Sequence, residues 1–306
     1  MANVIMRVAW NRPEMLQVSI DHEIKAREYH MLDGDFITLF VVEYGTTQEV
    51  VDVINNYPYK KKVLMRRMKQ GLTPNILKGM KVAFDLTDDH IIYIEDDICV
   101  HHTYFKYLDV LMSMNLYPYS VISAYNKIDG ESVSEVYKGH HYCAWGALIT
   151  RYFFENYMLE HIHEGYYGSS INEMENYPIR DNYVMTLNNQ YKPFWGPDRY
   201  KYTTTMHNEQ AGLINRLVDI AMIKEDIHVI QPKVNRQMHI GFYGKNRPSA
   251  KGIPGATFNE RVKTLYKIIK SEDTMYEMAG TKQYRDYAVF DKRLDEWDGT
   301  LYLGEE

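Results

Sequence analysis

The chain has 306 residues, enough to bury a sizeable core, and its ordinary globular composition excludes the disordered and fibrous classes. Lys and Arg number 35 against 41 Asp and Glu, a formal net charge of -6 that argues against nucleic-acid binding through bulk charge. Cys99 and Cys143 stand alone, too few for a disulfide framework or a thiolate zinc site. The first twenty residues carry charges inside their apolar pattern and no run reaches membrane-spanning length, so a soluble cytoplasmic protein is expected.

Residues 4–10 read as a first strand, stopped by Asn11-Arg12-Pro13. Pro13 opens a helix with Leu16, Ile20 and Ile24 at helical spacing. Residues 36–43 form a second buried strand ending on Glu43, and Gly45-Thr46-Thr47 turns the chain into a helix with Val50, Val51 and Ile54. Residues 62–66 read as a third strand, and Thr73-Pro74 starts a helix through Met80, Val82 and Phe84. Next comes an apolar run, residues 91–98, interrupted by Glu95-Asp96-Asp97. A run of this length bounded by turn residues predicts a strand buried on both faces. Three acids at its end cannot share that burial unpaired, so they emerge at the C-terminal edge of a sheet, where open α/β folds bind ligands. Such a cluster suits Mg2+ or Mn2+ with a diphosphate on its far side; the alternative is an acidic turn capping the next helix.

Strand-helix alternation over the first hundred residues predicts parallel βαβ units in a doubly wound sheet. No Gly-x-Gly-x-x-Gly or Walker-type loop is present, which disfavours a dinucleotide fold or a P-loop NTPase. An amphipathic helix is expected over 102–114, a strand over 121–126, a helix near 151–160, then long loops to residue 200. Helices are expected at 208–222 and 260–270, with a short strand at 227–231 between them. Residues 53–84 contain no acid but carry Lys60, Lys61, Lys62, Arg66, Arg67, Lys69, Lys78 and Lys81, and a second basic excess spans 199–270. These stretches read either as a solvated lysine-rich face or as surface for a polyanionic partner or phosphorylated ligand.

With that order laid out, the chain resembles the metal-dependent GT-A glycosyltransferases, most closely the N-acetylglucosaminyltransferase I group. The resemblance spans roughly residues 4–245 and rests on Asn11-Arg12-Pro13, on Glu43 where the family usually has Asp, and on Glu95-Asp96-Asp97 with the Tyr104-Phe105 helix. Ser123-Ala124-Tyr125-Asn126 and Gln231-Pro232-Lys233-Val234-Asn235-Arg236, followed by Gly241 and Gly244, complete the set. It implies an α/β GT-A (Rossmann-like) fold with a mostly parallel central sheet and flanking helices. A domain over 1–245 is expected, divided into a nucleotide-sugar-binding half (1–126) and an acceptor half (127–245). Residues 246–306 are then a linker and a C-terminal helical extension.

The same resemblance implies a site. Asp97 would ligate Mn2+ or Mg2+, and Glu95 and Asp96 would contact the ribose and order the metal's water. Glu43 and Asn75 would sit at the nucleobase, with Arg12 beside a phosphate of the UDP-sugar donor. The family's catalytic carboxylate matches Glu209, where the motif departs from the family pattern; the other reading of Glu209 is a helix-dipole partner. His239 is either a second metal ligand or a hydrogen-bonded core histidine. The acceptor is expected to be 5-hydroxymethylcytosine in bacteriophage double-stranded DNA, glucosylated or arabinosylated, with inversion as the outcome that a separate base implies. A cytosolic cell-surface glycan precursor and a non-catalytic nucleotide- or DNA-binding role are the alternatives.

Overall fold

The computed structural model describes residues 3–30, 36–67, 69, 72–114, 121–126, 130–139, 142–159, 227–240 and 290–304. Strand β1 (Asn3–Ala9) leads through Arg12 into helix α1 (Pro13–Tyr29), where Pro13 sits at a first-turn position that needs no amide donor. Strand β2 (Phe36–Val42) follows, then helix α2 (Gln48–Asn55), capped by the Thr47 side chain accepting from the Val50 amide. Strand β3 (Lys61–Met65), helix α3 (Leu72–Phe84) and strand β4 (His90–Glu95) complete the alternation that the apolar runs predict.

Beyond β4 the elements shorten. They are β5 (Ile98–Val100), α4 (Tyr104–Ser113), β6 (Val121–Ile122), β7 (Glu135–Gly139), β8 (Ala147–Thr150) and α5 (Arg151–Phe153), which runs on as a π-helical turn to Met158. Strands β9 (Val229–Pro232) and β10 (Gln237–His239) come next, and near the C-terminus a 3-10 turn (Lys292–Leu294) precedes β11 (Tyr302–Leu303). The main sheet runs β11-β7-β9-β6-β8-β4-β1-β2-β3, and β10 pairs with β5 in a separate antiparallel ribbon. Strands β1 to β4 are all parallel, as the alternation predicts. Strand β8 is antiparallel to both β4 and β6, so the sheet is mixed but mostly parallel.

The period of two along each strand distributes the core over both faces. Val4, Met6, Leu39 and Val41 pack with Leu77, Met80 and Ala83 of α3. On the opposite face Ala9, Phe40 and Val42 meet Leu16 and Ile20 of α1 and Val50 and Ile54 of α2, while Ile92 and Ile94 meet Tyr104, Phe105 and Leu108 of α4. Each such fully buried side chain contributes roughly 1.5–3 kcal/mol relative to exposure. Arg7, fully buried in β1, is a charged exception, and α1 answers it: its Nε pairs with Glu23 at 2.5 Å and its Nη1 donates to Ser19 Oγ at 3.0 Å.

The C-terminal helical extension expected after residue 245 takes another form in its described part. Residues 290–304 return to the domain: β11 adds to β7 in parallel, and Trp297 and Leu301 join the cluster around α4. The helices expected at 208–222 and 260–270, and Glu209 with them, lie outside the described residues. No helix among the described residues is long and apolar enough to cross a membrane.

Candidate active site

Strands β3, β2, β1 and β4 lie side by side, parallel, and end at one edge. The chain winds outward from β1 to β2 and β3, then crosses back to lay β4 on the other side of β1. The direction of winding therefore reverses between β1 and β4, and a doubly wound sheet opens a crevice at such a point. Arg12 leaves the end of β1 there, and Glu95, Asp96 and Asp97 leave the end of β4.

These residues meet. Asp96 takes Arg12 in a two-pronged grip, Nε to Oδ2 at 3.1 Å and Nη2 to Oδ1, while Arg12 Nη1 donates to Asp97 Oδ2 at 2.7 Å. Asp96 and Asp97 are each 4 % exposed. Burial works against the charge on Arg12, but the two carboxylates outweigh it and raise its basicity well above the ordinary arginine range. Glu95 accepts from the buried Tyr93 hydroxyl at 2.9 Å and is pushed up to about 8, by burial first and then by the charge of Asp97. Asp96 is also raised, by burial and by Asp97, against the pull of Arg12. Two of the three crowded carboxylates thus share the Arg12 guanidinium, and an added cation would relieve the repulsion among all three.

The loop carrying the acids is fixed from two sides. On one, Ser19 of α1 donates through Oγ to the Ile98 carbonyl and accepts from Arg7, so the buried Arg7–Glu23 pair holds the start of β5. On the other, β10 lies antiparallel to β5 with His239 opposite Ile98, and the Ile240 amide donates to the Asp97 carbonyl at 2.8 Å. The backbone of His239 is therefore beside the acid run.

Farther along the same edge Arg66, which the sequence offers only as one of a basic run, holds Asn75 and lies near Glu43. Arg66, just after β3, donates from Nε to Asn75 Oδ1 at 2.7 Å and from Nη2 to the Asn75 carbonyl at 3.2 Å. Burial lowers the basicity of Arg66, and the charge of nearby Glu43 partly restores it. Glu43 Oε1 accepts from the Tyr44 amide at 2.8 Å, and Trp10 Nε1 donates to the Tyr44 carbonyl at 3.2 Å. The available signal for Arg66 is its place directly after a strand at the ligand-binding edge; its pairing with Asn75 is not readable locally.

Neither a protein-family model nor a curated protein sequence matches the chain. Among solved structures it is similar to residues 1-349 of TarS from S. aureus, at 14% identity and a TM-score of 0.31, over 44% of this chain and 39% of that one. The chain thus spans well under half the length of that structure. It is similar to apo mouse xyloside xylosyltransferase 1 at 10% identity and a TM-score of 0.35, over 63% of this chain and 76% of that one. It is also similar to mannose-1-phosphate geranyltransferase from Thermus thermophilus at 10% identity and a TM-score of 0.32, over 76% and 73% of the two chains. Values this low assign no family, and the chemistry has to be read from the site.

Proposed function

We propose that the chain is a metal-dependent glycosyltransferase that moves a sugar from a UDP-sugar to a hydroxyl acceptor. The observation that carries this is the crowded trio Glu95, Asp96 and Asp97 at the reversal point of the sheet, the two aspartates gripped by Arg12 and Glu95 held by Tyr93. All three offer hard oxygen donors, and burial with the charge of Asp97 disfavours the ionised form of Glu95 as long as no further cation is present, so the donor set fits Mn2+ or Mg2+. Asp97 would be the direct ligand, with His239 as a further ligand and Glu95 and Asp96 ordering the surrounding water and the ribose. Such an ion supplies Lewis-acid stabilisation to a nucleoside diphosphate leaving group.

The chain's own residues supply the rest. Arg12, held by Asp96, would keep a positive charge at a fixed place beside the diphosphate, where preorganised charge lowers the barrier to its departure. Glu43 and Asn75, with Arg66 bonded to Asn75, would hold the nucleobase. Glu209 would accept the acceptor's proton, as an inverting transfer requires.

For the acceptor we propose 5-hydroxymethylcytosine in bacteriophage double-stranded DNA, with glucose or arabinose transferred. Support comes from the basic run: Lys60, Lys62, Arg67, Lys69 and Lys81 are all exposed, on or beside the sheet's edge strand β3 and its neighbour α3. The test is release of UDP from a panel of UDP-sugars with Mn2+, with and without hydroxymethylated duplex. Release stimulated by DNA, abolished by EDTA and lowered about 100-fold or more in Asp97→Asn and in Glu209→Gln is expected. Release indifferent to DNA would redirect the acceptor to a glycan precursor. No release from any donor would overturn the enzymatic reading.

A further inference from the structure

Away from the acid run, the junction between β5 and α4 carries two adjacent histidines, and the C-terminal segment brings a carboxylate to them. His101 Nε2 lies 3.1 Å from Asp295 Oδ1, and His102 Nδ1 lies 3.6 Å from the same oxygen. One donor atom from each of the three residues falls within 4.8 Å of the others. We infer that His101, His102 and Asp295 form a binding site for a divalent transition metal ion of the zinc class, which fastens the C-terminal segment to the α/β domain.

The spacing is the first argument. Ligands about 2.0–2.1 Å from a tetrahedral metal stand roughly 3.3 Å apart, and the two separations to Asp295 bracket that value. The second is the support behind the inner ligand. His101 Nδ1 is 2.9 Å from the Thr103 hydroxyl, and that oxygen accepts from Arg236 Nη1 at 3.1 Å. Without metal, the Thr103 amide donates to Nδ1 at 3.3 Å, so the ring proton sits on Nε2 and points to Asp295. Metal at Nε2 moves that one proton to Nδ1, which then gives up the Thr103 amide and donates to the Thr103 hydroxyl oxygen instead, with no net change in protons on the ring. Thr103 also stands between His101 and the Arg236 guanidinium, which faces the rings of Tyr107 and Trp297.

Access is the third argument. The ligands grade outward from buried His101 through half-buried His102 to exposed Asp295, leaving one side for water and for metal entry. The Phe290 ring lies 5.0 Å from His101 and the Tyr29 ring 4.5 Å from His102, giving the site apolar walls. The donor set is two imidazoles and one carboxylate, whereas the acid run offers three carboxylates with at most the one imidazole of His239. Imidazole donors favour Zn2+, Co2+ or Ni2+ over Mg2+ and Ca2+, so the two sites differ in preference.

The experiment uses the full, untagged chain stripped with chelator and titrated with Co2+ in the presence of excess Mg2+, followed by visible absorbance and thermal melting. One equivalent of Co2+ with a tetrahedral-type band and a raised Tm is expected, with Zn2+ displacing it. His102→Ala and Asp295→Asn are each expected to weaken binding more than about tenfold while keeping the native circular dichroism, and Asp97→Asn to leave it unchanged. Co2+ binding that survives His102→Ala, or that is lost with Asp97→Asn, overturns the site. So does an Asp295→Asn protein that loses stability without metal yet keeps the cobalt spectrum, since Asp295 would then be a hydrogen-bonding strap only.

Discussion

Glu23 is the residue through which the interior and the acid run are mechanically joined. Its two carboxylate oxygens hold Arg7, Arg27 and the Tyr57 hydroxyl, and Arg7 in turn orients Ser19 against the Ile98 carbonyl. Burial alone would push Glu23 up; the two guanidinium groups and Tyr57 outweigh it and hold its carboxyl below the ordinary glutamate range. In the unfolded chain Glu23 takes up a proton first as pH falls, so the stability it contributes is complete above about pH 4.3 and is lost on acidification through its lower native value. Glu23→Gln is expected to cost about 3–5 kcal/mol at neutral pH, because it leaves buried Arg7 uncompensated. Urea denaturation of both proteins between pH 3 and 7 checks this. The difference between them should shrink toward low pH; a constant difference would mean that Glu23 acts through packing rather than charge.

At the scale of elements, α3 is set by how closely it approaches the sheet. A Cβ on Gly79 would lie 2.9 Å from Val41 Cγ2, 3.1 Å from Val41 Cγ1 and 3.3 Å from Met6 Sδ, all on buried strand residues with no room to yield. Gly79→Ala gains about 1 kcal/mol of helix propensity but overpacks a core contact that costs about 1–3 kcal/mol. A net loss of stability is expected by urea unfolding, and weaker UDP-sugar binding by calorimetry, because Asn75 lies one turn earlier on α3. Unchanged stability and affinity would show that α3 slides freely. The helix itself is legible from Met80, Val82 and Phe84, as β1 to β4 are from their apolar runs, because each of these signals is local. Strands β5, β7, β8, β10 and β11 are not announced in the same way. They are two to five residues long, and β5 is cut from the β4 run by the acids, so their pairing is decided by partners distant in sequence. The site divides along the same line. The acids at the end of β4 are readable, whereas Arg12 gripping Asp96 and Arg66 gripping Asn75 are tertiary pairings that no local pattern encodes.

For the molecule as a whole, the question is what the returning C-terminal segment does to a domain whose ligand edge lies at β1 and β4. Trp297 is 4 % exposed, fixes its own turn by donating from Nε1 to the Thr300 carbonyl at 2.8 Å, and lays its ring 4.1 Å from the Arg236 guanidinium carbon. Tyr107 covers Arg236 from α4 at 4.7 Å, and Arg236 is fully buried with no carboxylate partner among the described residues, so burial pulls its basicity down to about 10. Aromatic faces thus take the place of a counter-ion. Arg236 also sits where its carbonyl accepts from the His101 amide and its own amide donates to the Ala124 carbonyl, immediately before β10. The C-terminal segment therefore bears on the ribbon beside the acids through a stacked cation as well as through Asp295 at His101. Trp297→Ala is expected to cost about 3–5 kcal/mol, the range for emptying a buried tryptophan site, and Trp297→Phe clearly less. In an Arg236→Met background the cost of Trp297→Ala should fall by about 0.5–2 kcal/mol, the part due to the cation. Equilibrium urea unfolding of the four proteins in that cycle measures it. A coupling of zero would reduce Trp297 to apolar packing and leave Asp295 at His101 as the segment's link toward the acid run.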